Sequence, residues 1–210
     1  MAKLPQAPAA SNTPRLSGDE RRSAIVDAVL DMAAGVSPAK ISTTDIACAV
    51  GLSQGAVFKH FARKEDIWLA VAEVVAERLM AVVDGAVRQA ASPLAALHDV
   101  FMAHVDFVVA NPGVPRFIFH ELQPAAETPV KRCIRALMEG YRQRLMALLG
   151  ELEMAGQLAD GVDKQAAAGL FLGSVQGLIM QSMLATRDAG LRAQAGAVVA
   201  IFERGIRRAP

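Results

Sequence analysis

Apolar residues recur at helical spacing along most of this 210-residue chain. Ile25, Val29, Met32 and Val36, for example, lie three or four positions apart. This spacing places apolar side chains on one face of an α-helix, and no segment shows the sustained alternation and paired turn residues of β-hairpins. The pattern predicts an all-α protein with about nine helices.

Capping residues mark the ends of the first helices. Ser17 with Glu20 forms a capping box before the first apolar stripe, and Ser42 with Asp45 repeats the arrangement. Gly51 then suits the left-handed residue that ends a helix. Two short helical units near the N-terminus are therefore well delimited.

Residues 42–61 have the spacing of a helix-turn-helix. After Gly51, Ser53 is the next N-cap, which leaves a turn of about three or four residues before a helix from about Gln54 to His60. A helix this short needs other helices beneath it to be stable. Displayed on such a base, it fits the major groove of DNA.

Gly55 lies in the first turn of this short helix, where glycine costs about 1 kcal/mol relative to alanine. Two explanations stay open. A missing side chain lets the backbone approach a phosphate or a base edge, toward which the positive end of the helix dipole also points. Alternatively, glycine only avoids a clash with the preceding helix.

These positions resemble the DNA-binding domain of the TetR family of transcriptional regulators. The resemblance covers residues 19–79 and rests on the segment DIACAVGLSQGAVFKHFARKEDIW, in which Ile46, Ala47, Gly51, Ser53, Gly55, Phe58, His60, Phe61 and Lys64 follow the family pattern. It implies an N-terminal three-helix helix-turn-helix domain over residues 17–65. Residues 66–210 would form a C-terminal helical domain for ligand binding and dimerisation.

The resemblance also implies which residues contact DNA. Thr43 and Thr44 would meet phosphates, and the amide of Gln54 would read a base, since it can pair bidentately with adenine. The full set is Thr43, Thr44, Ser53, Gln54, Gly55, Phe58, Lys59, His60 and Lys64. For Phe58 a packing role is an open alternative, as is an ordinary surface position for His60.

Two positions depart from the family pattern. Arg63 stands where a small hydroxyl residue commonly caps the following helix, and loss of such a cap costs about 1 kcal/mol. Ile41 stands where threonine is common, which puts in doubt a DNA contact just before the second helix.

The C-terminal part begins with a long helix from Lys64 to about Ala90, which links the two domains as a lever. The resemblance implies an effector pocket in this part. Its expected lining is Phe101, His104, His120, Met138, Tyr141, Phe171 and Met180. Such residues suit a small, largely apolar effector. Core packing is the alternative for each of them, and the two histidines match no strong metal-ligand spacing.

Residues 165–186 carry no charge and are long enough to cross a bilayer. Their glutamines, serines and glycines favour a helix buried between protein surfaces. Glycines at every fourth position permit close helix approach, and the resemblance favours a homodimer formed there rather than packing within one chain. The expected interface is Gly169, Leu170, Gly173, Gly177, Leu178, Gln181, Phe202 and Ile206.

Composition and charge add few constraints. The formal net charge is +1, so a nucleic-acid role depends on where charges lie rather than on their number. Cys48 and Cys133 lie far apart in helical segments, which is consistent with a reducing cytoplasm and suggests no disulfide framework. Residues 1–16 lack the apolar core of a signal peptide and are expected to form a disordered leader.

The chain contains no HExxH motif, phosphate-binding glycine loop or nucleophile elbow, so we expect neither an enzyme nor a cofactor or metal site. The expected function is a ligand-responsive, cytoplasmic transcriptional repressor that binds a palindromic double-stranded DNA operator as a homodimer. Two other classes stay open: a small-molecule-binding enzyme with catalytic histidines, and a membrane-anchored helical protein. Neither explains the pattern of residues 42–61.

Overall fold

Nine α-helices and no strand occur in the part of the chain that the computed structural model describes, residues 17–184 and 190–208. The helices are α1 (Gly18–Gly35), α2 (Thr43–Ala49), α3 (Gln54–His60), α4 (Lys64–Gln89), α5 (Pro93–Ala110), α6 (Gly113–Leu122), α7 (Pro129–Met154), α8 (Lys164–Leu184) and α9 (Leu191–Ile206). The all-α prediction is confirmed. The expected leader, residues 1–16, lies outside the described residues.

Both predicted capping boxes are formed. The Ser17 hydroxyl accepts a hydrogen bond from the Glu20 backbone N–H at 3.2 Å, and the Glu20 carboxylate accepts one from the Ser17 N–H at 2.7 Å. Ser42 and Asp45 make the equivalent pair of bonds at the start of α2. These bonds favour the ionised carboxylates, so the pKa values of Glu20 and Asp45 are lowered.

The first three helices share a core that α4 closes. Ile25, Ile46 and Val57, one from each helix, are fully buried together with Ile67 of α4. The predicted stripe is wrong at its end, because Val36 is 44% exposed. The helix stops at Gly35 and Val36 is extended, so the helical period no longer applies to it.

The body is built around α5, which contacts α4, α7, α8 and α9. Edge-to-face aromatic contacts tie its centre together: the Phe171 ring lies 5.2 Å from Phe101 and 5.4 Å from Phe202. Helices α5 and α8 are long and apolar enough to cross a membrane by length and composition. Core helices of soluble proteins can have the same length and composition, and the buried residues of α5 and α8 do pack in the protein core.

Helix α6 joins the body to the N-terminal helices. It begins at Gly113, which is buried directly against the backbone of α1. Further along, the Phe117 ring contacts the edge of Trp68 in α4, with centroids 6.1 Å apart. Helix α6 therefore contacts both α1 and the first turns of α4.

Candidate nucleic-acid interface and ligand cavity

Helix α3 stands on the surface of the N-terminal helices. The Ser53 hydroxyl caps it by accepting a hydrogen bond from the Ala56 N–H at 3.2 Å. Val57 and Phe61 are buried and anchor it. Gly51 has φ +66°, the left-handed conformation that favours glycine, and it reverses the chain between α2 and α3.

The outer face of α3 consists of Gln54, Gly55, Phe58 and Lys59, all of them exposed. Phe58 is 41% exposed, which is unusual for a large aromatic side chain. No hydrogen-bond or ion-pair partner is found for the Lys59 ammonium group among the described residues. This face offers a cation, an amide and an aromatic ring to an external partner.

The structure bears on the second explanation for Gly55, the avoidance of a clash. A Cβ atom added at this position meets no atom of the described chain within 4 Å. Glycine is therefore not needed here to avoid the preceding helix. What the missing side chain leaves free is the outward space in front of the first turn of α3.

Gln54 and Thr43 are joined across the helix-turn-helix. The Gln54 Nε2 donates a hydrogen bond to the Thr43 hydroxyl at 2.7 Å. The predicted base reader and the predicted phosphate contact are thus adjacent, and the bond holds the amide over the turn. Thr44 and Ser53 are exposed beside them.

Lys64 and His60 lie at the edge of this surface, and both are partly buried. The Lys64 ammonium group donates a hydrogen bond to the Ile41 carbonyl and lies 4.7 Å from the Trp68 ring centroid. The His60 carbonyl accepts a hydrogen bond from Arg22, whose guanidinium stacks on the Phe61 ring. Contact of Lys64 with a phosphate would require it to leave the Ile41 carbonyl.

The two departures from the family pattern have local structural explanations. Arg63 makes no side-chain cap, but the Asp66 carboxylate accepts hydrogen bonds from its backbone N–H and its guanidinium, each at 3.0 Å. These bonds lower the pKa of Asp66 and compensate at the start of α4 for the missing hydroxyl. Ile41 is buried, so its side chain contributes to the core.

A cavity of about 180 Å³ lies between α4, α5, α6, α7 and α8. Its wall is almost entirely apolar, and α6 supplies a full side of it with Val114, Pro115 and Ile118. Leu122 and Gln176, both exposed, lie at its rim. The cavity therefore extends from the surface into the core of the body.

The predicted ligand residues divide into three groups around this cavity. His104 and Met138 line it. Phe101, Tyr141 and Phe171 are fully buried behind the wall and act as its support. His120 and Met180 are not in the wall: Met180 is exposed on α8, and His120 lies beside Glu121 near the end of α6. Helical period places both on other faces, which is a correction to the predicted lining.

His104 and Tyr141 form a buried polar pair. The Nδ1 of His104 lies 3.3 Å from the Tyr141 hydroxyl, and burial lowers the pKa of His104 to about 4 and raises that of Tyr141. Both groups are therefore neutral at pH 7. The Tyr141 proton has no other acceptor in the described chain, and leaving it unpaired costs about 1–3 kcal/mol. Tyr141 therefore donates to Nδ1, and the ring proton of His104 resides on Nε2.

The surface of α8 and α9 carries residues that were predicted for the dimer interface. Gly169, Gly173 and Gly177 have no atom of the described chain within 4 Å of an added Cβ, so this face of α8 is open. Leu170 and Ile201 are 60% and 61% exposed on either side of an apolar cleft between the two helices.

Three residues predicted for the dimer surface lie deeper than expected. Leu178, Phe202 and Ile206 are buried within the protomer. Phe202 packs on Phe171, and Phe202 with Ile206 forms the floor of the cleft. Ile201, exposed one residue before Phe202, was not predicted. Helix α9 packs against both α5 and α8, which turns Phe202 and Ile206 inward, and the apolar pattern alone does not reveal this.

Comparisons with known proteins place the fold. No protein-family model matches the chain. The chain is 25% identical over 158 residues to the nucleoid occlusion factor SlmA of Vibrio atlanticus, which covers 75% of this chain and 81% of that protein. Its structure is similar to the transcriptional regulator FadR from Bacillus subtilis, solved in complex with stearoyl-CoA, with a TM-score of 0.77, 19% identity and coverage of 88% and 98% of the two chains.

A TetR transcriptional regulator from Chloroflexus aurantiacus is equally similar. The TM-score is 0.76 at 20% identity, and the alignment covers 91% of this chain and 98% of that one. This protein thus has the fold of the TetR-family transcriptional regulators, as the helix-turn-helix resemblance predicted.

Proposed function

We propose that the protein is a ligand-responsive transcriptional regulator, a repressor, that binds a palindromic operator as a homodimer. The observation that carries this proposal is the outer face of α3, where Gly55 leaves open space beside the Gln54 amide. On the same face the Lys59 ammonium group has no partner among the described residues. An exposed helix N-terminus of this kind suits close approach to the phosphate backbone and the major groove.

Dimerisation supplies the second half of operator recognition. A single seven-residue helix reads few base pairs, whereas two copies related by a two-fold axis read an inverted repeat. The open glycine face of α8 and the cleft beside α9 are the apolar surface that we assign to this contact. In the dimer the two α3 helices would lie about 34–36 Å apart, or more, in successive major grooves.

Helix α6 and the first turns of α4 are the route from cavity to DNA. Val114 and Pro115 line the cavity, while the neighbouring Gly113 lies against α1. A ligand that favours one position of α6 therefore favours one orientation of the N-terminal helices. The two orientations need a difference in ligand affinity worth about 1–3 kcal/mol for useful regulation. We propose that the ligand-bound orientation is the one released from DNA.

The other classes have less support. The structural relatives are transcriptional regulators by name, and His104 is tied to Tyr141 rather than aligned with a nucleophile or acid. We infer that the protein is not an enzyme and that it acts in the cytoplasm without a cofactor. The buried residues of α8, among them Phe171 and Val175, pack in the core, which favours the regulator over a membrane anchor.

Selection from a random double-stranded DNA pool tests the proposal. We expect the purified full-length protein to enrich an inverted repeat whose half-sites lie about one helical turn apart or more. The selection is run with and without an extract of cell metabolites. Enrichment of no sequence in either condition would overturn the regulator proposal.

The dimer surface gives a separate prediction. We expect Leu170→Glu combined with Ile201→Glu to raise the dimer dissociation constant at least about thirtyfold, because two anchors of the apolar patch become charged. Sedimentation equilibrium measures the change, and operator affinity should fall with it. Met154→Glu, at an apolar site that is 82% exposed at the end of α7, is the control. A double variant that stays dimeric would place the interface elsewhere.

A further inference from the structure

The cavity has one polar feature at its inner end. His104 is 6% exposed, and the surface that it retains is part of the cavity wall. Its Nδ1 is occupied by the Tyr141 hydroxyl. Its Nε2 has no hydrogen-bond partner in the described chain, and no fully buried side-chain nitrogen or oxygen there lacks one. Nε2 therefore reaches accessible surface, which at this residue is the cavity.

The hydrogen bond from Tyr141 determines which hydrogen-bonding group His104 presents to the cavity. Because its hydroxyl donates to Nδ1, Nε2 carries the proton and presents a hydrogen-bond donor. The cavity wall includes no Lys, Arg, Asp or Glu side chain. A charged ligand group would lose its hydration there without gaining a counter-ion, and this is costly.

The size of the cavity limits the ligand further. An apolar protein cavity of roughly 150 Å³ accepts benzene, and this one measures about 180 Å³. A ligand of about ten non-hydrogen atoms fills it without displacing a helix. An acyl-CoA, as FadR binds, is far larger and heavily charged.

We propose that the effector is a compact, uncharged, largely hydrocarbon molecule with one acceptor oxygen, which receives a hydrogen bond from His104 Nε2 at the inner end of the cavity. The chemical class is a ketone, aldehyde or ester built on a single ring or a similarly small apolar frame. This inference rests on the proposed function, since it identifies the ligand of the same cavity. Tyr141 acts as a positioning residue that fixes the ring tautomer.

Three probes of equal size isolate the acceptor oxygen. Acetophenone has a carbonyl, cumene replaces it with an apolar branch, and benzoate replaces it with a carboxylate. We expect isothermal titration calorimetry on the full-length protein to show acetophenone binding at least about tenfold more tightly than cumene, with benzoate weaker than both. Equal affinities for acetophenone and cumene, tighter binding of benzoate, or no binding of any probe would each overturn the proposal.

Variants of His104 and Tyr141 test whether this pair causes the preference for acetophenone over cumene. His104→Phe should bring the affinities for acetophenone and cumene to within about twofold while cumene still binds, because the donor at the cavity is lost. The Tyr141 hydroxyl loses its acceptor in the same variant, so thermal unfolding is used to check that the variant is folded. Tyr141→Phe keeps the imidazole of His104 but no longer fixes which ring nitrogen carries the proton. We therefore expect a smaller loss of the acetophenone preference than in His104→Phe. Met146→Leu, on α7 but outside the cavity wall, should leave the preference unchanged. A full preference in His104→Phe would contradict the assignment.

The calorimetry needs no DNA and is independent of the regulator proposal. A protein that prefers acetophenone but selects no operator would retain this cavity assignment and lose the proposed function. A protein that selects an inverted repeat but binds the three probes equally would retain the function and lose the assignment.

Discussion

Gly55→Glu is expected to reduce operator affinity more than 100-fold while leaving the fold intact. The new side chain has open space in the isolated protein, because no atom of the described chain lies within 4 Å of its Cβ. Glutamate in the first turn of α3 also favours the helix, through its higher propensity and the helix dipole. On DNA the same carboxylate enters the space next to the phosphates, where charge repulsion and bulk both oppose binding.

Electrophoretic mobility shifts and thermal unfolding measure these two effects separately. Gly140→Glu is the matched control, because Gly140 also has open space around its Cβ but lies in α7, in the body. Gly55→Ala separates bulk from charge and should lose less affinity than the glutamate variant. Operator affinity within about threefold of the unmodified protein in Gly55→Glu would show that α3 does not approach DNA by this face.

Lys59 has a different expected signature. A phosphate contact carries no sequence information, so Lys59→Ala should weaken binding to all DNA sequences about equally and reduce the slope of log affinity against log salt by about one. Gln54→Ala should instead reduce discrimination at one base pair in each half-site. Titrations at several salt concentrations distinguish a positioning contact from a reading contact.

The local features of the N-terminal helices were predictable because they depend on residues that are close in sequence. Ser17 with Glu20, and Ser42 with Asp45, cap their helices as predicted, and Gly51 has the predicted left-handed backbone. Interactions between distant segments were not predictable in this way. The hydrogen bond from Lys64 to the Ile41 carbonyl has no sequence signal, since a fully exposed lysine and a partly buried one look alike in a helical pattern.

The cavity shows the same limit. Its α6 wall, with Val114, Pro115 and Ile118, was not predicted, because apolar residues that line a cavity have the same pattern as apolar residues that fill a core. His104 belongs to the lining that the resemblance implied, and it does line the cavity. Met180 was part of the same predicted lining but lies on the outer face of α8. The way in which α8 packs against α5 and α7 determines this.

Gly113→Ala is expected to destabilise the protein by about 2–3 kcal/mol, and it tests the contact between α6 and α1. A Cβ built on Gly113 would lie 1.9 Å from the Leu30 carbonyl oxygen and 3.1 Å from the Ala34 nitrogen. Both atoms belong to the α1 backbone, so no rotation of a side chain relieves the overlap. The first turn of α6 has to move away from α1, and packing between the two helices is lost.

Thermal unfolding should show a fall in Tm of roughly 5–10 °C for Gly113→Ala. Gly140→Ala provides a control of opposite sign, since an alanine in open space inside a helix stabilises by up to about 1 kcal/mol. If α6 transmits ligand binding to the N-terminal helices, displacing it from α1 should also weaken operator binding in the absence of ligand. Acetophenone should then change the operator affinity of Gly113→Ala less than that of the unmodified protein. A Gly113→Ala variant as stable and as responsive as the unmodified protein would exclude this contact as the route between cavity and DNA.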